Sequence, residues 1–240
     1  MQLLSSGKVD VVSNAGTSNP LQQIASGVDL TVFGGHMVQG CMPVVARAGT
    51  EWNGVEDLIG KKFACNPSYF AFTGAVMDLG YEDPFSVVDW IVYDSYNDAL
   101  AAVIKGEVDY ALMGTGQNYS VNSMEEVVMP NYSCCRLVAQ SGFVENNPNT
   151  VKAILKALIR AQQYYEANKE ECVKLQAESI GTTEEYVAAY MLNDHYIVHV
   201  DPLRNSIVRA WNILDKTGFL SDQAKEIDIE DHINTELYES

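Results

Sequence analysis

The stretch 66–73 contains the residues best suited to contact a ligand in this 240-residue chain. It follows a short apolar run typical of a buried strand and leads into a helical pattern, so it forms a loop that opens a helix. The first N–H groups of a helix lie at its positive end and can hold an anionic group without Lys or Arg. The predicted contacts are Ser68, which can cap the helix, and Tyr69, Phe70 and Thr73. The competing interpretation is an ordinary capped helix that buries Phe70.

A second loop, 14–18, offers a similar surface before a helix that contains Pro20. Its predicted ligand contacts are Asn14, Gly16, Thr17 and Ser18. Neither loop contains Lys or Arg, which disfavours nitrate or a free sulfonate group as the ligand. The two loops favour a ring-bearing or amide-bearing organic molecule that stacks on Tyr69 or Phe70. The competing interpretation of 14–18 is a plain strand-to-helix loop.

The tetrapeptide pattern Gly-x-Val-Asp occurs twice, at 7–10 and at 106–109. In each case it ends a helix and opens a strand, because Gly takes the left-handed position after a helix and Val favours a strand. Each strand then runs into a glycine turn, and the second turn adds Gly114 and Thr115 to the predicted contacts. We expect the strands from Val9 and Val108 to lie in different sheets, with their turns facing one cleft. A common helix-to-strand joint is the alternative.

The histidines provide few further candidates for ligand contacts or metal ligands. His36 follows a predicted strand and could donate a hydrogen bond to a ligand, although a buried structural or a surface histidine is the competing interpretation. His195 and His199 are four residues apart, but the residues between them are typical of a strand and no third ligand is evident. We therefore predict neither a metal site nor a cofactor.

The chain contains five cysteines, with no C-x-x-C pair. Cys134 and Cys135 are adjacent, and since adjacent cysteines rarely form a disulfide, we expect two small core residues. The sequence also lacks G-x-S-x-G, a P-loop and H-E-x-x-H. We therefore predict that the protein is not an enzyme, and assign no catalytic residue.

The charge balance restricts the partners. Lys plus Arg total 15 against 32 Asp plus Glu, a net charge of −17, which repels phosphate backbones and makes a nucleic-acid surface improbable. The longest uncharged stretches, 11–28 and 30–46, contain too many polar residues for a membrane span. The expected partners are small molecules that are neutral or cationic. With 47% hydrophobic residues, the chain can bury a sizeable core.

Strand and helix patterns alternate along the first part of the chain, and helices dominate after Pro148. This alternation predicts an α/β fold with mostly parallel strands. The predicted strands are Val9–Ser13, Leu30–Gly34, Pro43–Ala46, Lys62–Cys65, Val87–Val92, Val108–Met113 and Arg136–Ala139. The predicted helices include Asn19–Ser26, Phe70–Leu79, Asn97–Lys105 (capped by Ser95), a helix after Pro148, Glu170–Ser179, Thr183–Asn193, Arg204–Lys216 and Glu230–Tyr238.

Several runs in this order resemble the nitrate/sulfonate/taurine-type solute-binding proteins of ABC importers, whose superfamily includes thiamine-precursor binders. The runs are Gly27–His36, Pro43–Arg47, Gly54–Lys62, Lys105–Asp109, Asn147–Val151 and Asp231–Tyr238. The resemblance implies a type II periplasmic-binding-protein-like fold with two crossover strands. It places lobe one at 1–45 plus 133–240, lobe two at 46–132, and the ligand between them.

The resemblance also implies the biological setting. The ligand would be a sulfonate, a pyrimidine or another ring compound, and the protein partners would be the permease subunits of the transporter. The protein would be periplasmic or extracellular, and lipoprotein-anchored in a full-length form. Family members begin with a strand-helix-strand unit before the helix that here starts at Met1, so we expect that unit and a leader to be missing from this chain. The alternatives are a ligand-sensing receptor domain and a thiamine-pyrimidine synthase-like enzyme.

Overall fold

The computed structural model describes residues 1–39, 43–114, 124–127, 134–194 and 196–240. The chain divides into two compact units. The first comprises Met1–Val38, Tyr132–Asn168 and Ile197–Ser240, and the second comprises Gln39–Asn131 and Lys169–Tyr196. The predicted lobes differ from these units chiefly at 169–196, which the prediction placed with the first lobe.

The first unit is built on a three-stranded sheet in the order β1 (Val11–Gly16), β9 (Cys135–Gln140), β2 (Leu30–Gly35). The central strand β9 runs antiparallel to both neighbours. β2 is buried along its whole length, and apart from Thr31 its residues are apolar or glycine, as expected for a buried strand. A short pair, β3 (Met37–Gln39) and β10 (Ile197–Val198), forms a separate ribbon.

Helices pack around this sheet, and the longest provides much of the core. The α-helices of this unit are α1 (Gln2–Ser5), α2 (Ser18–Ala25), α5 (Ser141–Asn146), α6 (Pro148–Ala167), α9 (Arg204–Lys216) and α10 (Glu236–Glu239). Val151 and Leu155 on α6 pack with Phe33 of β2 and Leu137 of β9. The helix predicted after Pro148 therefore packs against the sheet through Val151 and Leu155. The segment predicted as one helix, 230–238, instead forms a 3₁₀ helix, Ile229–His232, and the short α10.

The second unit contains a five-stranded sheet in the order β6 (Asp89–Ile91), β5 (Lys62–Ala64), β7 (Tyr110–Leu112), β4 (Val44–Arg47), β8 (Met124–Val127). Its α-helices are α3 (Phe70–Asp78), α4 (Tyr96–Lys105), α7 (Lys169–Ile180) and α8 (Glu184–Met191). Val45, Val103 and Val108 belong to the core formed by the sheet and α4.

Strand direction is only partly as predicted. β5, β6 and β7 are parallel, but β4 runs antiparallel to β7 and β8, and β9 is antiparallel to its two neighbours. The expectation of mostly parallel strands is therefore wrong. The chain reaches β9 from the second unit, so no helical crossover on the same sheet forces it to be parallel. The strands that follow Val9 and Val108, β1 and β7, do lie in different sheets, as predicted.

Among the residues described, no helix has the length and apolar character needed to span a membrane.

Candidate functional site

A cavity of about 310 Å³ lies in the second unit, where three parallel strands end. The residues that matter for its chemistry are Cys65, Tyr69, Tyr93, Asp94, Tyr96 and Leu112. Cys65 follows β5, Tyr93 follows β6 and Leu112 ends β7. Ligands of open α/β sheets bind at this edge, because loops and helix N-termini meet beyond the carboxyl ends of the strands.

The strand register brings these loops together. Ala64 of β5 is paired with Ile91 of β6 on one side and with Ala111 of β7 on the other. The Cys65 N–H donates to the Ile91 carbonyl at 3.0 Å, which extends the pairing by one residue. The three strands therefore end level with one another, and their loops share one edge.

The loop 66–69 turns tightly before α3. The Ser68 N–H donates to Oδ1 of Asn66 at 3.0 Å, and the Tyr69 N–H donates to the Asn66 carbonyl at 3.0 Å. Tyr69 occupies the N-cap position of α3 and makes no side-chain capping bond, so the prediction that Ser68 caps this helix is wrong. The reason is local, because the Asn66 turn moves the start of the helix one residue along the chain.

Two of the N–H groups at the start of α3 already have partners. The Phe70 N–H donates to the Ser68 carbonyl at 2.9 Å, and the Phe72 N–H donates to the Tyr69 carbonyl at 3.2 Å. These two groups are therefore engaged within the protein. That reduces the capacity of this helix end to hold an anion, which the sequence predicted for it.

The start of α4 forms a reciprocal cap, as the sequence predicts for Ser95. Oγ of Ser95 accepts a hydrogen bond from the Asp98 N–H at 3.1 Å and donates one to Oδ2 of Asp98 at 2.7 Å. Asp98 places a negative charge in the first turn, where it offsets the positive end of the helix. Tyr96, the first residue of α4, is thereby held at the cavity.

Burial favours the neutral forms of Cys65 and Tyr96 at the cavity. Burial raises the pKa of the Cys65 thiol well above its usual value. Burial also raises the pKa of Tyr96, and a hydrogen bond with Tyr69 and the proximity of Cys65 raise it further. Asp94 is the only residue of a charged type among the described residues that line the cavity.

The stretch 14–18, predicted as a loop, lies in the first unit, but residues 14–16 end strand β1 and Ser18 begins α2, so only Thr17 lies between the two elements. Thr17, which is buried, precedes α2, and its N–H and Oγ1 both donate to the Cys134 carbonyl, at 2.8 and 2.9 Å. Nε of Arg136 donates to Oγ1 of Thr17 at 3.1 Å. The register that pairs Gly16 with Cys135 and Ala15 with Arg136 brings these residues together.

Arg136 is the residue that sequence reasoning missed at this loop. It is 0% exposed, and its guanidinium also donates to the Pro202 carbonyl and to Oγ of Ser206. The stretch 14–18 contains no basic residue. Strand pairing nevertheless brings Arg136 next to Thr17, which lies 119 positions earlier in the chain. A lone arginine inside the apolar run of β9 was the signal that could have identified it.

The structure brings only some of the predicted contacts to the cavity. Of the predictions in 66–73, Tyr69 lines it, whereas Phe70 and Thr73 are buried in α3 and Ser68 is half-buried outside the lining. Gly114 is half-buried two residues beyond Leu112, and Thr115 lies outside the described residues. In the first unit, Asn14 and Gly16 are exposed, Ser18 is half-buried and Thr17 is buried.

His36 follows β2 and is held by backbone contacts. Its N–H donates to the Cys135 carbonyl at 3.1 Å, and its carbonyl accepts from the His199 N–H at 3.2 Å. A Cβ at Gly35 would lie 2.6 Å from the carbonyl oxygens of His199 and Asp201, so only glycine fits before His36. Burial lowers the pKa of His36, which favours the neutral ring.

The adjacent cysteines are both buried and differ in state. Cys134 is disulfide-bonded, whereas Cys135 has a free thiol whose sulfur lies 3.4 Å from that of Cys134. The two therefore do not form a disulfide with each other. Burial raises the pKa of Cys135 to about 11, although the nearby Arg136 partly opposes the shift. A thiol that stays protonated at neutral pH is a poor nucleophile.

No group of three or more His, Cys, Asp or Glu side chains with metal-binding geometry occurs in the described part of the chain. His195, one of the two histidines considered above, lies outside it. The other, His199, uses Nδ1 to accept a hydrogen bond from the Asp201 N–H at 3.0 Å.

Comparison with known proteins identifies a family and a fold for this chain. A model of the NMT1/THI5-like family matches residues 1–172. The periplasmic aliphatic sulphonate-binding protein SsuA from Escherichia coli is similar in structure, with a TM-score of 0.78 and 19% identity over 98% of this chain and 78% of that one. No curated protein sequence matches.

Two other solved structures are informative. The alkanesulfonate-binding protein SsuA from Xanthomonas axonopodis pv. citri, bound to MOPS, has a TM-score of 0.73 and 16% identity over 98% of this chain and 83% of that one. The desulfurization enzyme DSZB has a TM-score of 0.62 and 13% identity over 95% and 84%. The family resemblance and the periplasmic-binding-protein fold expected from the sequence are therefore confirmed.

Proposed function

Because the chain belongs to the NMT1/THI5-like family, we propose that it is the solute-binding component of an ABC importer and that it captures a small organic molecule. The observation that carries the proposal is the cavity at the carboxyl ends of β5, β6 and β7. A volume of about 310 Å³ suits a small organic molecule and is too small for a polymer. Tyr69 is the residue proposed to contact the ligand most directly.

The proposal extends to the partners and the compartment. The protein partners would be the permease subunits of the importer, and the protein would act outside the cytoplasm. The contribution of the loop 14–18 and of His36 to ligand binding stays a prediction.

A ligand screen by thermal unfolding tests the function. Purified protein would be screened against sulfonates, thiamine precursors, nucleobases and small aromatic acids. A true ligand at 100 times its dissociation constant adds about 2.7 kcal/mol to the free energy of unfolding. Titration calorimetry should then show that one ligand molecule binds to each protein chain. A complete absence of stabilisation across these classes and across small organic cations would contradict the proposal.

The enzyme alternative has one specific observation in its favour, since DSZB, an enzyme, shares this fold. A binding protein returns its ligand chemically unchanged. The test is to incubate the protein with a ligand from the screen, iron and oxygen, and to recover that ligand by mass spectrometry. Conversion that disappears in Cys135→Ala or His36→Gln would overturn the transport proposal in favour of catalysis.

A further inference from the structure

Three tyrosines from separate points of the second unit meet at the cavity. Tyr69 stands at the N-cap of α3, Tyr93 follows β6, and Tyr96 is the first residue of α4. The side chains of Tyr69 and Tyr96 are close enough to interact electrostatically, and Tyr93 packs against the core of the unit. Aromatic faces carry a partial negative charge and attract cations.

The charges around the cavity have one sign. Asp94 lies between Tyr93 and Tyr96 in the chain, and no Lys, Arg or His occurs among the described lining residues. Asp98 already offsets the positive end of α4. The sequence range 46–132 contains 4 basic and 13 acidic residues, a net charge of −9, so the wider field is also negative.

We propose that this cavity binds the positively charged nitrogen of a small organic cation, either an ammonium group or a protonated ring nitrogen. The proposal rests on the proposed solute-binding function and deepens it by naming the chemical class of the ligand. An anionic head group in this cavity would face the Asp94 carboxylate and three aromatic rings without a compensating basic side chain. The cavity therefore differs in chemistry from what a sulfonate requires, although the fold is that of sulfonate-binding proteins.

Matched pairs of probes separate charge from shape. Choline and 3,3-dimethylbutan-1-ol have nearly the same shape and differ in that a quaternary nitrogen replaces a carbon. Benzylammonium and benzyl alcohol form a second pair, and ethanesulfonate and benzenesulfonate are the anionic probes. Titration calorimetry at low salt is expected to show that each cation binds at least about tenfold more tightly than its neutral partner.

Substitutions assign the effect to the cavity. Asp94→Asn is expected to weaken the binding of cations by about tenfold, to reduce its salt dependence, and to leave the neutral probes unchanged. Glu82→Gln removes an equal charge from an exposed residue of the same unit outside the lining and is the matched control. Tyr96→Leu should weaken the binding of cations, while Tyr96→Phe, which keeps the ring, should restore most of it.

The outcomes distinguish this proposal from the function on which it rests. Binding of sulfonates without cations, or equal binding of cations and their neutral partners, would overturn the cation assignment and leave the importer proposal standing. A loss in Asp94→Asn no larger than that in Glu82→Gln would also overturn it. Failure of every probe here and of every class in the ligand screen would overturn the proposed function itself.

Discussion

Tyr69 is a predicted ligand contact that lines the cavity of the second unit, and its role can be measured directly. The side chain is half-buried, so it contributes less to the core than Phe70 or Phe72. Tyr69→Ala is expected to weaken ligand binding by about 1–3 kcal/mol through the loss of ring contact, with little change in melting temperature. Calorimetry with a ligand from the screen measures the effect.

Tyr81→Ala is the control for this substitution, because Tyr81 is 38% exposed and lies outside the cavity lining. Unchanged affinity together with a large fall in melting temperature for Tyr69→Ala would place Tyr69 in the core instead.

The free cysteines should differ sharply in reactivity. Burial raises the pKa of all three thiols, and Glu171 raises that of Cys172 further, but Cys65 and Cys135 are buried whereas Cys172 is partly exposed. Because the thiolate is the reactive form, iodoacetamide at pH 8 should label Cys172 first and the other two only after unfolding. Peptide mapping by mass spectrometry determines the order in which the three cysteines are labelled. Rapid labelling of Cys135 in the native protein would show that its site opens readily.

At the scale of elements, the start of α4 connects stability with the cavity. The Ser95 side chain caps this helix, so Ser95→Ala should lower the free energy of unfolding by about 1 kcal/mol. It should also weaken ligand binding, because Tyr96 and Asp94 flank the cap. Urea unfolding and calorimetry measure the two effects separately.

Thr183 provides a matched control, since it caps α8 by accepting from the Tyr186 N–H and lies outside the cavity lining. Thr183→Ala should lower stability by a similar amount and leave ligand affinity unchanged. If Ser95→Ala also left affinity unchanged, the α4 cap would have no part in the site.

At the scale of the whole molecule, the net charge of −17 opposes folding through self-repulsion. Raising sodium chloride from about 10 mM to about 150 mM shortens the screening length from about 30 Å to about 8 Å and should raise the melting temperature. Replacing the exposed Glu82 and Glu107 by Gln should reduce this dependence on salt. A melting temperature that falls with salt would indicate that favourable charge pairs dominate.

The resemblance of several ordered motifs indicated the family, and local periodicity and capping residues indicated the α/β class and the position of most helices and strands. Ser95 was identified correctly as a cap since its partner, Asp98, lies three residues away. The repeated Gly-x-Val-Asp joint also predicted correctly that β1 and β7 belong to different sheets.

Which residues meet depends on the folded structure. Strand pairing brings Arg136 to Thr17 across 119 positions, and the level ends of β5, β6 and β7 place Tyr69 beside Tyr96. Local sequence also could not show that 169–196 belongs to the second unit, because an amphipathic helix does not specify which sheet it packs against. Contacts between residues distant in the chain depend on register and packing, which no local pattern encodes.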